Sequence, residues 1–404
     1  MFHRSPTPPD MSDAASRVAP QVLLLTPWDW HLSHTAKAFA ARDALAGLWM
    51  STRDRAGLPP GKYRRCWPFH LAMRPFYSFA PQIWIEKTLY AASPIWKLWL
   101  RSQQRPPFNV AQAIMGFATE PFDYADEVGA LKVLDAPTSH PVLFSGFWQR
   151  ECDLWCPGEK LPIPRWMFAR MNREAERADL ILCPSEFVLN SMLMNGIPAS
   201  KCFLNPYGVN TGIFRPRQIL PATPRFVCVA TIRVLKGHQY LFRAFQLVKQ
   251  AVPNAELICV GDYKCDFRKE KPKWDGTFTH IPSLTHPKLA ELLQTCTALV
   301  LPSTQEGLAR VIPEAMGAGL PIIASYESGA TTLVADGVEG FIVRPRDPRH
   351  IAEAMIKVAT DSELNRRMGE AAYRRGAVRN TWQDYGDRLL TEYETRLNRH
   401  TATA

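Results

Sequence analysis

The chain reads as an α/β protein of two Rossmann-like, doubly wound domains that face each other across a cleft. Three observations predict this. Short apolar runs alternate with helical patterns along nearly the whole length. The alternation stops once, in the Pro-rich GIFRPRQILPATP around residues 212–224, and then restarts. At 404 residues the chain is also too long for one ordinary core. The expected layout is a disordered tail over 1–20, a first Rossmann-like domain over 21–212, a second over 213–380 and a helix over 381–404 packing back toward the first domain.

Composition narrows the class before any motif is considered. With 46% hydrophobic and 21% charged residues the chain is a soluble globular protein, neither disordered nor fibrous. A formal net charge of +10 suits an anionic ligand, an anionic membrane surface or nucleic acid. No uninterrupted apolar run reaches about 18 residues, so no spanning helix is expected. The polar, Pro-rich first twenty residues lack the apolar segment of a signal peptide. A cytoplasmic location follows, with peripheral contact at the inner face of the plasma membrane. Nine cysteines, several in strand-like runs, read as reduced core residues. Cys152 and Cys156 have no companion cluster that would complete a zinc site, so no metal is expected.

In the first half, Val22 to Leu25 forms a strand, and a helix runs from about Ser33 to Leu45. The loop between them, WDWHLS, makes Asp29, His31 and His34 candidate acceptor-site residues; the alternative is a polar loop over a helix start. From Arg53 to Arg105 ten lysines and arginines meet only Asp54 and Glu86, interleaved with Trp, Tyr and Phe. That mixture suits a surface resting on anionic lipid, a stacking surface for single-stranded nucleic acid, or a helical layer packed on the sheet. Lipid is favoured over nucleic acid because no nucleic-acid-binding pattern accompanies it. Strands near Val110–Ala113 and Lys132–Asp135 follow. The second runs into DAPTSHP and brings His140 to cleft height, where it is either a site residue or a structural one. A helix over Met167–Arg177, a strand from Asp179 to Pro184, a helix capped by Ser185 and a last strand in CFLNPYGVN complete this half.

The second half restarts with the strand Arg225–Thr231 and a helix over Gln239–Gln250. Arg233 and Lys236 lie in the loop between them, with Gly237 at the helix mouth. Two cations beside unsatisfied helix amides suit a diphosphate, although neither a Walker A nor a GxGxxG pattern is present. Strands at 256–260 and 278–281 and a helix at 288–294 precede EGLARVIPEAMGAGLPIIAS, residues 306–325. This stretch lies inside a strand–loop–helix–strand unit whose loop sits at the ligand-binding edge of the sheet. Glu306 opens the loop and Glu314 follows eight residues on, just over two helical turns, so both are expected to face one cleft. Carboxylates accept hydrogen bonds from vicinal hydroxyls, as in ribose or a sugar ring. The cations offset charge on a departing diphosphate. The whole points to group transfer from a sugar nucleotide without a protein-bound metal.

These residues resemble the retaining glycosyltransferases of family 4, which have the GT-B fold. The E-x7-E signature of that family is met by Glu306, Gly307, Glu314, Ala315, Met316, Gly319 and Pro321, and its Arg and Lys by Arg233 and Lys236-Gly237. The resemblance covers most of residues 130–395. It implies that Arg233 and Lys236 bind the donor diphosphate, with Gly307, Leu308 and Ala309 offering amides near the phosphates. It implies further that Glu314 holds the ribose, that Glu306 holds the transferred sugar and that His140 lies beside that sugar. No cofactor is implied beyond the donor, a UDP or GDP sugar. The partners implied are a nucleotide sugar and a glycan or lipid-linked acceptor, in cell-surface polysaccharide biosynthesis. The chain departs from the family in WDWHLS, where a Gly-Gly is usual, and in Ala309-Arg310. The alternative function is a non-catalytic nucleotide-sugar-binding or assembly protein on the same fold.

Overall fold

A computed structural model describes residues 18–403, apart from 30, 55, 80–90, 160–162, 265, 266, 268–270 and 275. The expected tail over 1–20 therefore lies outside the described residues as far as residue 17. The first half contains β1 (Val22–Leu25), α1 (Leu32–Ala40), β2 (Leu45–Met50), β3 (Tyr63–Arg65), α2 (Trp67–Phe79), α3 (Ser93–Ser102), β4 (Val110–Ile114), α4 (Thr119–Val128) and β5 (Leu131–Asp135). It continues with α5 (Pro141–Trp155), α6 (Arg165–Arg177), β6 (Leu180–Cys183), α7 (Glu186–Met194) and β7 (Cys202–Leu204). These seven strands form one parallel sheet in the order β3-β2-β1-β4-β5-β6-β7.

The second half contains β8 (Arg225–Val229), α8 (His238–Ala251), β9 (Glu256–Val260), β10 (Thr279–Ile281), α9 (His286–Gln294), β11 (Ala298–Leu301) and α10 (Val311–Gly317). Then come β12 (Ile322–Ser325), β13 (Gly340–Val343), α11 (Pro348–Thr360), α12 (Ser362–Gly376) and α13 (Trp382–Thr403). Its six strands run parallel in the order β10-β9-β8-β11-β12-β13. The two doubly wound sheets are those that the alternation of apolar runs predicts. In each, the strand order reverses beside the first strand, and the loops leaving that point diverge to open a crevice. β1, β4, β6, β11 and β12 are buried along their whole length, as helices on both faces require.

Several elements differ from the sequence expectation, which named neither α4 nor α5. The helix expected to reach Leu45 stops at Ala40, because Asp43 turns left-handed at φ 53° and sends LAGLWM into β2. β3 is only three residues long, and its sequence YRR has no apolar alternation to reveal it. The basic aromatic segment is largely the helical layer that was one of its three readings. Phe69, Met73, Trp96 and Leu100 are fully buried, and Trp96 stacks at 5.4 Å on Trp99, which meets Trp49 edge-on. Trp67, Leu71 and Leu98 stay exposed. Arg64 donates to the Gln104 carbonyl at 2.6 Å and lies over Trp49. Arg55, the whole of residues 80–90 and the side chains of residues 74–79 lie outside the described residues.

α13 crosses back onto α1. Arg42 donates two hydrogen bonds to Asp387 at 2.9 and 2.8 Å, and Phe39 meets Tyr393 edge-on. The Tyr393 hydroxyl donates to Gln112 at 2.9 Å in the middle of the first sheet. Among the described residues, no helix is long and apolar enough to cross a membrane.

Candidate active site

The loop leaving β11 carries Glu306. Its carboxylate accepts from Lys236 Nζ and, at 3.1 Å, from the Ser303 hydroxyl. Lys236 is delivered by a single tight turn, Val234–Lys236, ending at Gly237. Gly237 has φ +71°, and a Cβ there would come within 2.1 Å of the Pro302 carbonyl, so only glycine lets the two loops approach. The cation and carboxylate assigned to a donor on sequence grounds therefore pair with each other here. Both are about four-fifths buried. Arg233, the second expected phosphate ligand, lies with its guanidinium 4.9 Å from the Trp148 ring of α5, across the cleft.

The loop leaving β5 presses on this group from the other sheet. A Cβ on Gly307 would lie 1.9 Å from the Pro137 carbonyl. Ser185 donates to the Gly307 carbonyl at 2.5 Å, and the Gln305 amide to Thr138 at 2.6 Å and Ser139 at 3.3 Å. His140 follows immediately and is buried. Its Nδ1 accepts from the Val142 amide at 3.4 Å as the cap of α5, which leaves the ring proton on Nε2. Burial lowers its pKa below the ordinary histidine value, so near neutral pH it is an uncharged hydrogen-bond donor.

Glu306 lies in the loop and Glu314 on α10, which begins at Val311, as the sequence places them. Glu314 is paired with His286 at the start of α9, at 3.5 Å. Leu308 and Ala309 are buried, and the Ala309 amide is used on the Ser328 carbonyl at 3.3 Å, so it does not point outward as a phosphate donor. His31, expected at the acceptor site, is a core residue. It is 1% exposed, lies 2.9 Å from Asp135 Oδ2 and packs on Tyr207 with ring centroids 4.5 Å apart.

The His34 ring stacks on Trp382 of α13 at 4.6 Å with 7° between planes. Its pKa is pushed down to about 4 by burial, then by Arg310 and His286 of the second half, with Asp29 pulling the other way.

Sequence reasoning missed a second inter-sheet cluster. The fully buried Glu151 of α5 accepts from Arg346 at 2.6 Å, from Gln239 at 3.1 Å and from the Tyr240 hydroxyl at 3.0 Å. Arg346 follows β13 in a left-handed conformation, φ 62°, and also lies 3.7 Å from Glu327. Burial raises the Glu327 carboxyl above its ordinary pKa. The one local signal is an arginine in RPRDP at a turn that glycine or asparagine adopts more readily.

Residues 212–375 match the family model "Glycosyl transferases group 1". D-inositol 3-phosphate glycosyltransferase of Stackebrandtia nassauensis is 28% identical over 223 residues, 49% of this chain and 50% of that protein. A sulfoquinovosyl transferase of Arabidopsis thaliana is 28% identical over 52% of this chain and 43% of its own. The chain thus spans about half the length of the curated relatives it matches. Anabaena HepE in complex with UDP-glucose superposes with a TM-score of 0.67 at 15% identity, over 93% of this chain and 99% of that one. Sucrose-phosphate synthase of Thermosynechococcus elongatus gives 0.67 at 15%, over 94% and 100%. The fold is GT-B.

Proposed function

We propose that the chain is a retaining glycosyltransferase that moves a sugar from a nucleotide-diphosphate sugar, of UDP or GDP type, to a hydroxyl of a glycan or lipid-linked acceptor. The observation that carries this reading is the Lys236–Glu306 pair, held by Gly237 and Gly307 where the carboxyl edges of the two sheets meet. A donor diphosphate entering there competes with Glu306 for Lys236 and with Trp148 for Arg233. The released Glu306 then accepts from the hydroxyls of the transferred sugar. Glu314 does the same for the ribose once it leaves His286, and His140 offers its Nε2 proton to the sugar. The relatives support the donor class: one solved neighbour carries UDP-glucose.

In the reaction the bond between the anomeric carbon and the diphosphate oxygen breaks as the acceptor oxygen bonds to that carbon from the same face. The acceptor proton passes to the departing diphosphate, and Lys236 and Arg233 offset the charge that builds on it. The cations supply this compensation without a protein-bound metal. The family resemblance supports a cell-surface glycan as the product's destination and the cytoplasmic face of the membrane as the place of transfer.

A thermal-shift panel of UDP, GDP, ADP and their sugar conjugates tests the donor site. A ligand at about 100 times its Kd stabilises by roughly 2.7 kcal/mol. One base class is expected to shift the wild type, and Arg233→Ala/Lys236→Ala is expected to abolish the shift. Glu306→Gln should retain donor binding and lose roughly 10²–10³ in kcat. Unchanged turnover in Glu306→Gln would remove the assignment, and an inverted anomeric centre in the product, read by NMR, would remove retention.

A further inference from the structure

A cavity at the carboxyl ends of β2 and β3 plays no part in the reaction proposed above. It encloses about 630 Å³, and its walls include Arg53, Asp54, Arg65, Trp67, His70 and Leu71. It shares no residue with the Lys236–Glu306 cluster, yet it lies on the same ligand-binding edge of the first sheet. Two guanidiniums and an imidazole face one carboxylate. That carboxylate is committed to its own loop, since Asp54 accepts from the Ala56 amide at 2.8 Å and the Leu58 amide at 3.0 Å. Arg65 is fixed in place: its Nε donates to the Ser51 carbonyl at 3.0 Å, and its guanidinium lies 3.7 Å from the Trp67 ring centroid.

Beside these cations stand two large apolar side chains in water, Trp67 at 54% exposure and Leu71 at 56%, on successive turns of α2. The combination selects the ligand class. A free phosphate would satisfy the cations and leave Trp67 and Leu71 wet. A neutral lipid would cover the apolar pair and desolvate the cations without a partner. A phosphate carried on a lipid meets both needs. The Tyr63 hydroxyl donates to the Thr52 carbonyl in the cavity wall.

We propose that this cavity holds the phosphate of a lipid-borne acceptor, with the hydrocarbon part lying over Trp67 and Leu71 and the hydroxyl-bearing end reaching along the carboxyl edge of the first sheet. The proposal rests on the transferase reading for the word acceptor, but its test does not use transfer.

The full chain is sedimented at low salt with vesicles of phosphatidylcholine, alone or mixed with phosphatidylglycerol. Wild type is expected to bind the mixed vesicles and not the neutral ones. Arg53→Gln/Arg65→Gln should weaken binding roughly tenfold or more, since each cation at an anionic surface contributes about a fivefold change. Leu71→Ser should also weaken it, and Leu98→Ser, on the exposed face of α3, should not. Retention of the nucleotide-induced thermal shift shows that each variant is folded. If the double variant fails that control, Leu71→Ser against Leu98→Ser decides. Four results overturn the proposal: no binding to mixed vesicles, equal loss in Leu98→Ser, full displacement by glycerol phosphate, or full displacement by a single-stranded oligonucleotide. A protein that keeps its nucleotide shift and ignores vesicles would sink the lipid site while leaving the transferase reading intact.

Discussion

His34 shows what a single side chain gains and loses by standing at a domain junction. Stacked on Trp382, partly buried and within the field of Arg310 and His286, it stays uncharged in the folded chain down to about pH 4. In the unfolded chain it takes up a proton near the ordinary 6.5. Between those two values the unfolded state binds the extra proton, so stability is fully present above about pH 6.5 and falls as the pH drops toward 4. By pH 4.5 the loss is on the order of 2–3 kcal/mol, at about 1.4 kcal/mol per pKa unit. Melting temperatures followed from pH 7 to 4.5 should decline less steeply in His34→Phe, which keeps the stack and removes the titration. An unchanged slope would place the acid sensitivity elsewhere. Lys236 and Glu306 were legible at this scale because each sits in a short local pattern. Trp148 and Glu151 were not, because their partners arrive from far along the chain, 195 residues in the case of Glu151 and Arg346.

At the scale of elements, the meeting of two loops matters more than any one helix. The loop after β5 and the loop after β11 touch backbone to backbone at Gly307, where a methyl group would sit 1.9 Å from the Pro137 carbonyl. Neither side can give way cheaply, since Ser185 and Gln305 tie both loops in place. Gly307→Ala should therefore cost on the order of 2–4 kcal/mol and part the loops, with a lowered melting temperature and a weakened nucleotide shift. A full nucleotide shift in that variant would mean that the loops need not touch for donor binding. The apolar runs of β1, β8, β9, β11 and β12 made most of both sheets readable from sequence. β2 and β3 escaped notice because a left-handed Asp43 ends α1 early and because Tyr-Arg-Arg does not look like a strand. The eight-residue spacing of Glu306 and Glu314 does not measure two helical turns, since α10 begins five residues after Glu306.

At the scale of the whole molecule, α5 is the piece of the first half that holds the second. Its Phe147, Trp148 and Glu151 meet Arg346, Arg233 and the Gln239–Tyr240 pair. Removing one member of a buried ion pair leaves the other uncompensated, and Glu151→Ala alone should cost about 3–5 kcal/mol. Arg346→Gly relieves the left-handed backbone at that residue while orphaning Glu151. The pair Glu151→Leu/Arg346→Gly should recover much of the loss, and a double-mutant cycle on the melting free energy measures the coupling. Strict additivity would deny that this contact binds the two halves together.

The return of α13 to α1 has a consequence for how the protein is made. Gln112 in the first sheet bonds to Tyr393, 281 residues later, and the Val18 amide to Asn398, 380 residues later. On the ribosome, the first sheet emerges early but stays without the helix that covers α1, while the second sheet has all its strands and flanking helices soon after residue 376. The half that is synthesised first is the half that is finished last.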